Sequence, residues 1–157
     1  MVSDNAIELL DHKDTATAVS IWAIFQESYK VEAKLLAVRN FPPLARTAKS
    51  IQHADTVFYC YRLQNHKIAG IVEVDNELDV DGLSISSLVV RPELFRHGIA
   101  SKLVRHVLQL AVHRTVIVHT AKLNTPATSL YKKIGFIEKQ SWESAEGITL
   151  IRLEMET

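Results

Sequence analysis

Cysteine is nearly missing from this chain: Cys60 stands alone among 157 residues, so no intrachain disulfide can staple the fold. It lies in the apolar run Val57-Phe58-Tyr59-Cys60-Tyr61, where a small core residue is the expected role, and a lone cysteine suits a reducing cytosol. No stretch approaches the roughly 18 consecutive apolar residues of a membrane span. The opening MVSDNAIELLDHKD carries Asp and Glu where a secretory leader needs a basic start and a clean apolar run. The expectation is a soluble, cytoplasmic protein without membrane contact. Charge of one sign is not in excess either: 18 Lys+Arg balance 18 Asp+Glu. That excludes a strongly basic nucleic-acid module and an acidic disordered tail. There is no internal repeat, low-complexity stretch or Gly/Ser linker. Pro42-Pro43 interrupts the chain, but apolar periodicity resumes on both sides. Residues 1–157 read as one domain, long enough to bury a core without disulfide or metal.

The hydrophobic period changes along the chain. Ala6 to Leu10 reads as a short strand. Asp14 or Thr15 caps a helix to about Tyr29, with Ala18, Ile21, Trp22 and Phe25 on one face. Further helices are expected over Val31–Val38 and Leu44–Ile51. Thr56–Leu63, Ile68–Val74 and Leu83–Val90 read as strands, joined by turns at Asn65-His66 and Asp79-Val80-Asp81-Gly82. From Gly98 a helix places Ile99, Leu103, Val107 and Leu110 on one face. Val116–Thr120 is a strand, Thr125–Ile134 a helix with Pro126 near its start, and Phe136–Lys139 and Thr149–Met155 are closing strands. This order predicts an α/β (α+β) architecture, a mixed sheet with helices packed on it.

Two segments carry chemistry. Leu88 to Ala100 runs from a buried strand through Arg91-Pro92 into a helix that begins with the small residues Gly98 and Ala100. Free N–H groups at such a start, with the helix dipole behind them, suit a phosphate group, and Arg96 and His97 add donors. The bland alternative is a tight turn with a solvated Arg. The second segment, Asn124 to Phe136, aligns Ala127, Leu130, Tyr131 and Ile134 on neighbouring helix faces and stops at Gly135. Its bland alternative is a capped amphipathic helix with Tyr131 half-buried.

Together the segments resemble motifs of the GCN5-related N-acetyltransferase (GNAT) superfamily. Val90-x-Pro92 followed by Phe95-Arg96-His97-Gly98-Ile99-Ala100 is similar to V-x-P and then [QR]-x-x-G-x-[GA]. Asn124, Ala127, Tyr131, Gly135 and Phe136 complete N-x-x-A-x-x-x-Y-x-x-x-G-F. One helix and one strand lie between them. The resemblance covers residues 55–140. It departs at Phe95, where the family has Gln or Arg, which removes one side-chain contact to pyrophosphate but leaves the backbone cradle.

The resemblance implies a mostly antiparallel sheet of six to seven strands, helices on both faces, and a splayed parallel pair, Leu83–Val90 and Val116–Thr120. Acetyl-CoA would lie in that wedge as acyl donor, its pantetheine arm along the backbone of Leu88 and Val90. Phe95, Arg96, His97, Gly98, Ile99, Ala100 and Ser101 would hold the pyrophosphate, with Asn124 on the arm and Lys133 near the phosphate end. Leu88 or Val89 would polarise the thioester carbonyl through a strand N–H. Tyr131 would protonate the leaving thiolate. For the base that takes the amine proton, Glu32 and Glu73 are the candidates. The implied activity is acetyl transfer to an amine, small molecule or peptide. The alternative is a CoA-binding regulatory module without turnover.

Other chemistries are weaker. His106 and His113 share no H-E-x-x-H and no cysteine set, so no metal is expected. Ser86 and Ser87 lack a G-x-S-x-G elbow. Phe58, Tyr59 and Tyr61 have no basic interleaving and read as strand core rather than a stacking platform for nucleic acid. The acceptor pocket falls to Trp22–Leu44 and Ser141–Gly147, which name no amine, and a sheet edge near the C-terminus suits a homodimer.

Overall fold

The structure is a computed structural model that describes residues 7–77 and 81–157. Ala6 and, from the expected turn, Asp79 and Val80 lie outside the described residues. The chain forms β1 (Ile7–Leu10), α1 (Thr15–Leu36), α2 (Ala48–Gln52), β2 (Val57–Arg62), β3 (Ile68–Glu77), β4 (Gly82–Val90), α3 (Ile99–Leu110), β5 (Thr115–Ala121), α4 (Thr125–Ile134), β6 (Ile137–Glu143) and β7 (Thr149–Glu156). The sheet has seven strands in the order β1-β2-β3-β4-β5-β7-β6. Its neighbours are antiparallel except β4 and β5, which are parallel. The expected mixed sheet with one parallel pair is present.

Strand alternation sorts the core to the two faces of this sheet. Phe58, Cys60, Ile71 and Val89 point to α1 and α2, where they meet Ile21, Ile24, Phe25 and Ile51. Tyr61, Val72, Val74 and Val90 point the other way, to Ile99, Leu103, Val107 and Tyr131 of α3 and α4. Phe58 is fully buried and touches Phe25 with ring centroids 6.2 Å apart.

The expected break near residue 30 does not exist. α1 runs unbroken because no Gly or Pro interrupts it and its buried stripe, Ile21, Phe25, Tyr29, Ala33 and Leu36, keeps helical spacing across that point. Asp14 caps it by accepting from the Thr17 amide at 3.0 Å. It stops at Ala37, which adopts φ 54°. The expected helix over 44–51 divides instead into a 3-10 turn at Pro42–Ala45 and the short α2. Thr47 has an extended backbone and starts α2 afresh through a capping box with Ser50. Leu110 is 42% exposed; the core face of α3 is Ile99, Leu103, Val104 and Val107.

Two features aim the elements around β4. Glu73 pairs with Ser87 and Val74 with Ile85, so Ser86 is an extra residue, a bulge that bends β4. At Gly70 a Cβ would lie 2.9 Å from the Val89 carbonyl and 3.0 Å from Ile99, so only glycine lets α3 begin this close to the sheet. Among the described residues no helix is long and apolar enough to cross a membrane.

Candidate active site

β4 and β5 pair only over their first halves, from Gly82 opposite Thr115 to Ile85 opposite Val118. Beyond the bulge at Ser86, β4 stays on β3 as far as Val90 opposite Gly70, while β5 stays on β7 as far as Ala121 opposite Leu150. A wedge opens between them. The Arg91 amide donates to the Ala69 carbonyl at 2.9 Å. Alternation back from that bond turns the backbone of Val89 and Ser87 toward β3 and leaves the N–H and C=O of Leu88 and Val90 facing the wedge. An extended ligand could pair with them as a missing strand would.

At the far end of β4 a 3-10 turn, Pro92–Leu94, leads into α3. Arg96 and Gly98 both hold left-handed backbone, φ 66° and 75°. Gly98 is the N-cap of α3 and supplies no side-chain acceptor, so the first N–H groups of the helix, those of Ile99, Ala100 and Ser101, are uncapped. Beyond its own chain neighbours, no atom of the described residues lies within 4 Å of where a Cβ at Gly98 would stand, so the approach is open. His97 folds back, its Nδ1–H donating to the carbonyls of Leu94 and Phe95 at 3.0 Å each. Phe95 is 41% exposed and makes no part of the core.

At the inner end of the wedge lies a cavity of about 320 Å³. Its floor is Ile85–Leu88 and Val118–Ala121 of the two diverging strands. α1 contributes Tyr29 and Glu32, the 3-10 segment Phe41–Pro43, α4 Asn124 and Tyr131, and the β6–β7 loop Ser144, Glu146 and Ile148. Among the described residues no group of His, Cys, Asp and Glu is placed to hold a metal ion.

Residues 18–136 match the profile of a family described as the acetyltransferase (GNAT) family. The chain belongs to that family. A curated relative, the UPF0157 protein YqkA of Bacillus subtilis (strain 168), is 34% identical over 145 residues, covering 92% of this chain and 41% of YqkA. The chain therefore spans about two fifths of the length of that relative. The fold matches solved acetyltransferases at low identity. An aminoglycoside 6'-N-acetyltransferase complexed with coenzyme A superposes with TM-score 0.71 at 12% identity, over 99% of this chain and 97% of that one. The ribosomal-protein-S18-alanine N-acetyltransferase of Escherichia coli gives TM-score 0.69 at 20% identity, over 96% and 92%.

Within this GNAT chain the expected site residues fall in different places. Tyr131 is 3% exposed, packs edge-on against Phe136 at 5.3 Å, and faces the cavity. Its hydroxyl makes no hydrogen bond to any described residue. Burial pushes its pKa well up, and the nearby Tyr29 and Glu32 add to the effect. Glu32 is half-buried on α1 and lines the same cavity. Burial raises its pKa, and a hydrogen bond from Asn124 partly opposes that rise. Asn124 is doubly engaged: its Oδ1 accepts from the Ala127 amide at 3.3 Å, capping α4, and its Nδ2 donates to Glu32 Oε1 at 2.9 Å.

Glu73 stands apart from the cavity lining. It is 2% exposed on the α1 face of β3. Arg46 grips it with two bonds, Nη1 to Oε1 at 2.6 Å and Nη2 to Oε2 at 2.8 Å. Thr56 donates to Oε2 at 2.6 Å and Ser87 to Oε1 at 2.7 Å. Burial alone would raise its pKa, but the bonds from Arg46, Thr56 and Ser87 outweigh burial and hold it below the ordinary carboxylate range. Ser87 also lines the cavity beside Tyr29, so the buried cluster reaches the cavity wall through it. Lys133 lies exposed in the last turn of α4, outside the cavity lining.

Sequence reasoning missed Arg46 and the Asn124–Glu32 bond. Glu73 did carry a signal, a lone charge between Val72 and Val74 inside an apolar strand, which requires a buried partner. Trp142 packs edge-on against His119 at 5.1 Å, on β6 at the sheet edge.

Proposed function

We propose that this chain transfers an acetyl group from acetyl-CoA to a primary amine, by direct attack of the amine on the thioester in a ternary complex. The observation that carries the reading is the unpartnered Tyr131 hydroxyl, aimed into the cavity where β4 and β5 part. A satisfied structural tyrosine would have a partner there.

The donor thioester lies with its pantetheine arm against Leu88 and Val90 and its pyrophosphate on the uncapped amides of Ile99, Ala100 and Ser101. Arg96 and His97 flank that phosphate site, and Phe95 offers only its backbone. Val89 supports the strand rather than touching the donor, because its side chain is buried against α1. The Leu88 N–H polarises the carbonyl oxygen as negative charge develops. The amine nitrogen forms the C–N bond and the C–S bond breaks. The proton leaving nitrogen goes to Glu32, whose raised pKa makes it a better base than an exposed carboxylate. Glu73, saturated by four donors and held ionised, positions Ser87 and Arg46 rather than accepting that proton. The Tyr131 phenol, kept protonated by burial, stands where it donates a hydrogen bond to the leaving sulfur as the C–S bond breaks. Asn124 orients Glu32, and Lys133 adds a distant positive charge for the nucleotide end.

Cys60 plays no part: burial pushes its thiol up to about 11, which keeps it an inert core residue. Thiol release from acetyl-CoA with a panel of primary amines tests the reading. Amine-dependent release supports it. Stabilisation by CoA without release for any amine points instead to a regulatory CoA-binding module.

A further inference from the structure

Ser87 stands where the buried charge cluster meets the cavity. It is 9% exposed, pairs in register with Glu73, and its hydroxyl donates to Glu73 Oε1 at 2.7 Å. It also lines the cavity, one residue before Leu88. Glu73 accepts from Arg46 at both oxygens and from Thr56, so it is ionised and has no proton to give. The proton between Ser87 and Glu73 is therefore the serine's own. That fixes the direction of the hydroxyl, and toward any other group the Ser87 oxygen can only accept. Such an oxygen has two lone pairs. Tyr29, its neighbour on the cavity lining, can engage one of them at most, which leaves one for a ligand. Among the described residues no carboxylate holds the proton of the other aliphatic hydroxyls on the lining, Ser86, Thr120 and Ser144.

We propose that Ser87 Oγ accepts a hydrogen bond from the attacking amine, through the N–H that nitrogen keeps in the product, and so selects primary over secondary amines. This deepens the acetyl-transfer reading and rests on it. A neutral primary amine has one lone pair and two N–H bonds. The lone pair forms the C–N bond as the C–S bond breaks; one proton passes to the base, Glu32, and the other stays in the amide. Ser87 holds that second N–H while the amide of the next residue, Leu88, holds the thioester oxygen, so the lone pair is aimed at the carbonyl carbon. Nitrogen turns cationic as the bond forms. A charged donor makes the stronger hydrogen bond, so the contact tightens on the way to the transition state. A secondary amine has a single N–H, which the base takes. It turns an alkyl group to the serine oxygen, which is left desolvated without a partner.

The test uses the full chain with acetyl-CoA and three primary amines, n-butylamine, benzylamine and glycinamide, each beside its N-methyl derivative. The wild-type chain prefers the primary form of each pair that reacts. In Ser87→Ala the ratio of kcat/KM for primary over N-methyl amine falls by about fivefold or more, the size of one lost hydrogen bond. The fall lies in kcat for the primary amine, as a bond that strengthens in the transition state requires. Ser87→Thr, which keeps the hydroxyl on a strand, keeps the ratio. A serine that only supports the fold would lower both amines alike. A wild-type ratio near one, a ratio unmoved by Ser87→Ala, or one that shifts only because the N-methyl amine reacts faster overturns the inference and leaves acetyl transfer standing. The retained N–H then belongs to another group of the lining, such as His119 of β5. No release with any of the six amines, with CoA binding intact, overturns it together with the transfer reading.

Discussion

Asn124 Nδ2 donates to Glu32 Oε1 at 2.9 Å, tying the N-cap of α4 to α1 across 92 positions of sequence. The same side chain caps its own helix, so one residue sets both the start of the Tyr131 helix and the orientation of the carboxylate opposite it. The bond favours the ionised form of Glu32 against the burial that raises its pKa. Asn124→Ser keeps a comparable helix cap, with a stability change of about a few tenths of a kcal/mol, but deletes the donor. The pKa of Glu32 then rises further, and the acid limb of kcat/KM moves to higher pH by up to about one unit. Profiles of the two proteins with the same amine measure this. Coincident acid limbs remove Glu32 from the base role.

The Arg46–Glu73 pair fastens the cavity's proline-containing wall to the sheet. Trp22 Nε1 donates to the Arg46 carbonyl at 3.0 Å and Gln26 Nε2 to the Leu44 carbonyl at 3.0 Å, so the segment is held from α1 as well. Glu73→Ala leaves the arginine, 27% exposed, facing an apolar site. The expected cost is about 3–5 kcal/mol in urea unfolding at pH 7. The pH dependence has a definite sign. Glu73 is held below its unfolded pKa, so its stabilisation is fully present above about pH 4.5 and is lost as pH falls through the lower, folded value. The wild-type chain should lose stability in that acid window, and Glu73→Ala should lose less there. Parallel acid-titration curves for both proteins contradict this account.

What could be read from the sequence was local. Strands such as Val57–Arg62 declare themselves by alternation, and α4 by Pro126 near its start and Gly135 at its end. The wedge strands and the Gly98 corner follow from short spacings for the same reason. The features that escaped are pairings between distant positions. Arg46 meets Glu73 across the gap from a loop to a strand, and no spacing rule links them. The bulge at Ser86 exists only relative to its partner β3, so β4 read alone looks regular. The false break in α1 had a different source. The two expected helices, one to Tyr29 and one from Val31, share a single buried stripe through Phe25, Tyr29, Ala33 and Leu36, which joins them into one.

Tyr131→Phe removes an oxygen that bonds nothing in the described structure, while the ring keeps its contact with Phe136. Stability should change by under about 0.5 kcal/mol, because no hydrogen bond is lost. Turnover should fall by about 100-fold if the hydroxyl serves the leaving sulfur. CoA affinity should stay within about twofold, since pairing to Leu88 and Val90 is untouched. Steady-state kinetics with calorimetric titration of CoA separates these effects. A variant with normal turnover denies the hydroxyl any catalytic part.

Gly98 separates the backbone's own needs from those of the bound phosphate. At φ 75° an alanine costs about 1 kcal/mol of strain, read as a shift in the denaturation midpoint. The open space around the missing Cβ means no packing clash adds to that cost. Yet this open space is where a diphosphate must come down on the amides of Ile99, Ala100 and Ser101, so a side chain there blocks the approach without disturbing the core. Gly98→Val should therefore weaken CoA binding by about tenfold or more while leaving a folded protein, a loss of roughly 1.4 kcal/mol or greater in binding. Calorimetry with CoA and with dephosphorylated pantetheine divides the loss. The pantetheine fragment, which never reaches the helix start, should bind both proteins alike. Equal CoA affinities for Gly98→Val and the wild-type chain would place the diphosphate somewhere other than the start of α3.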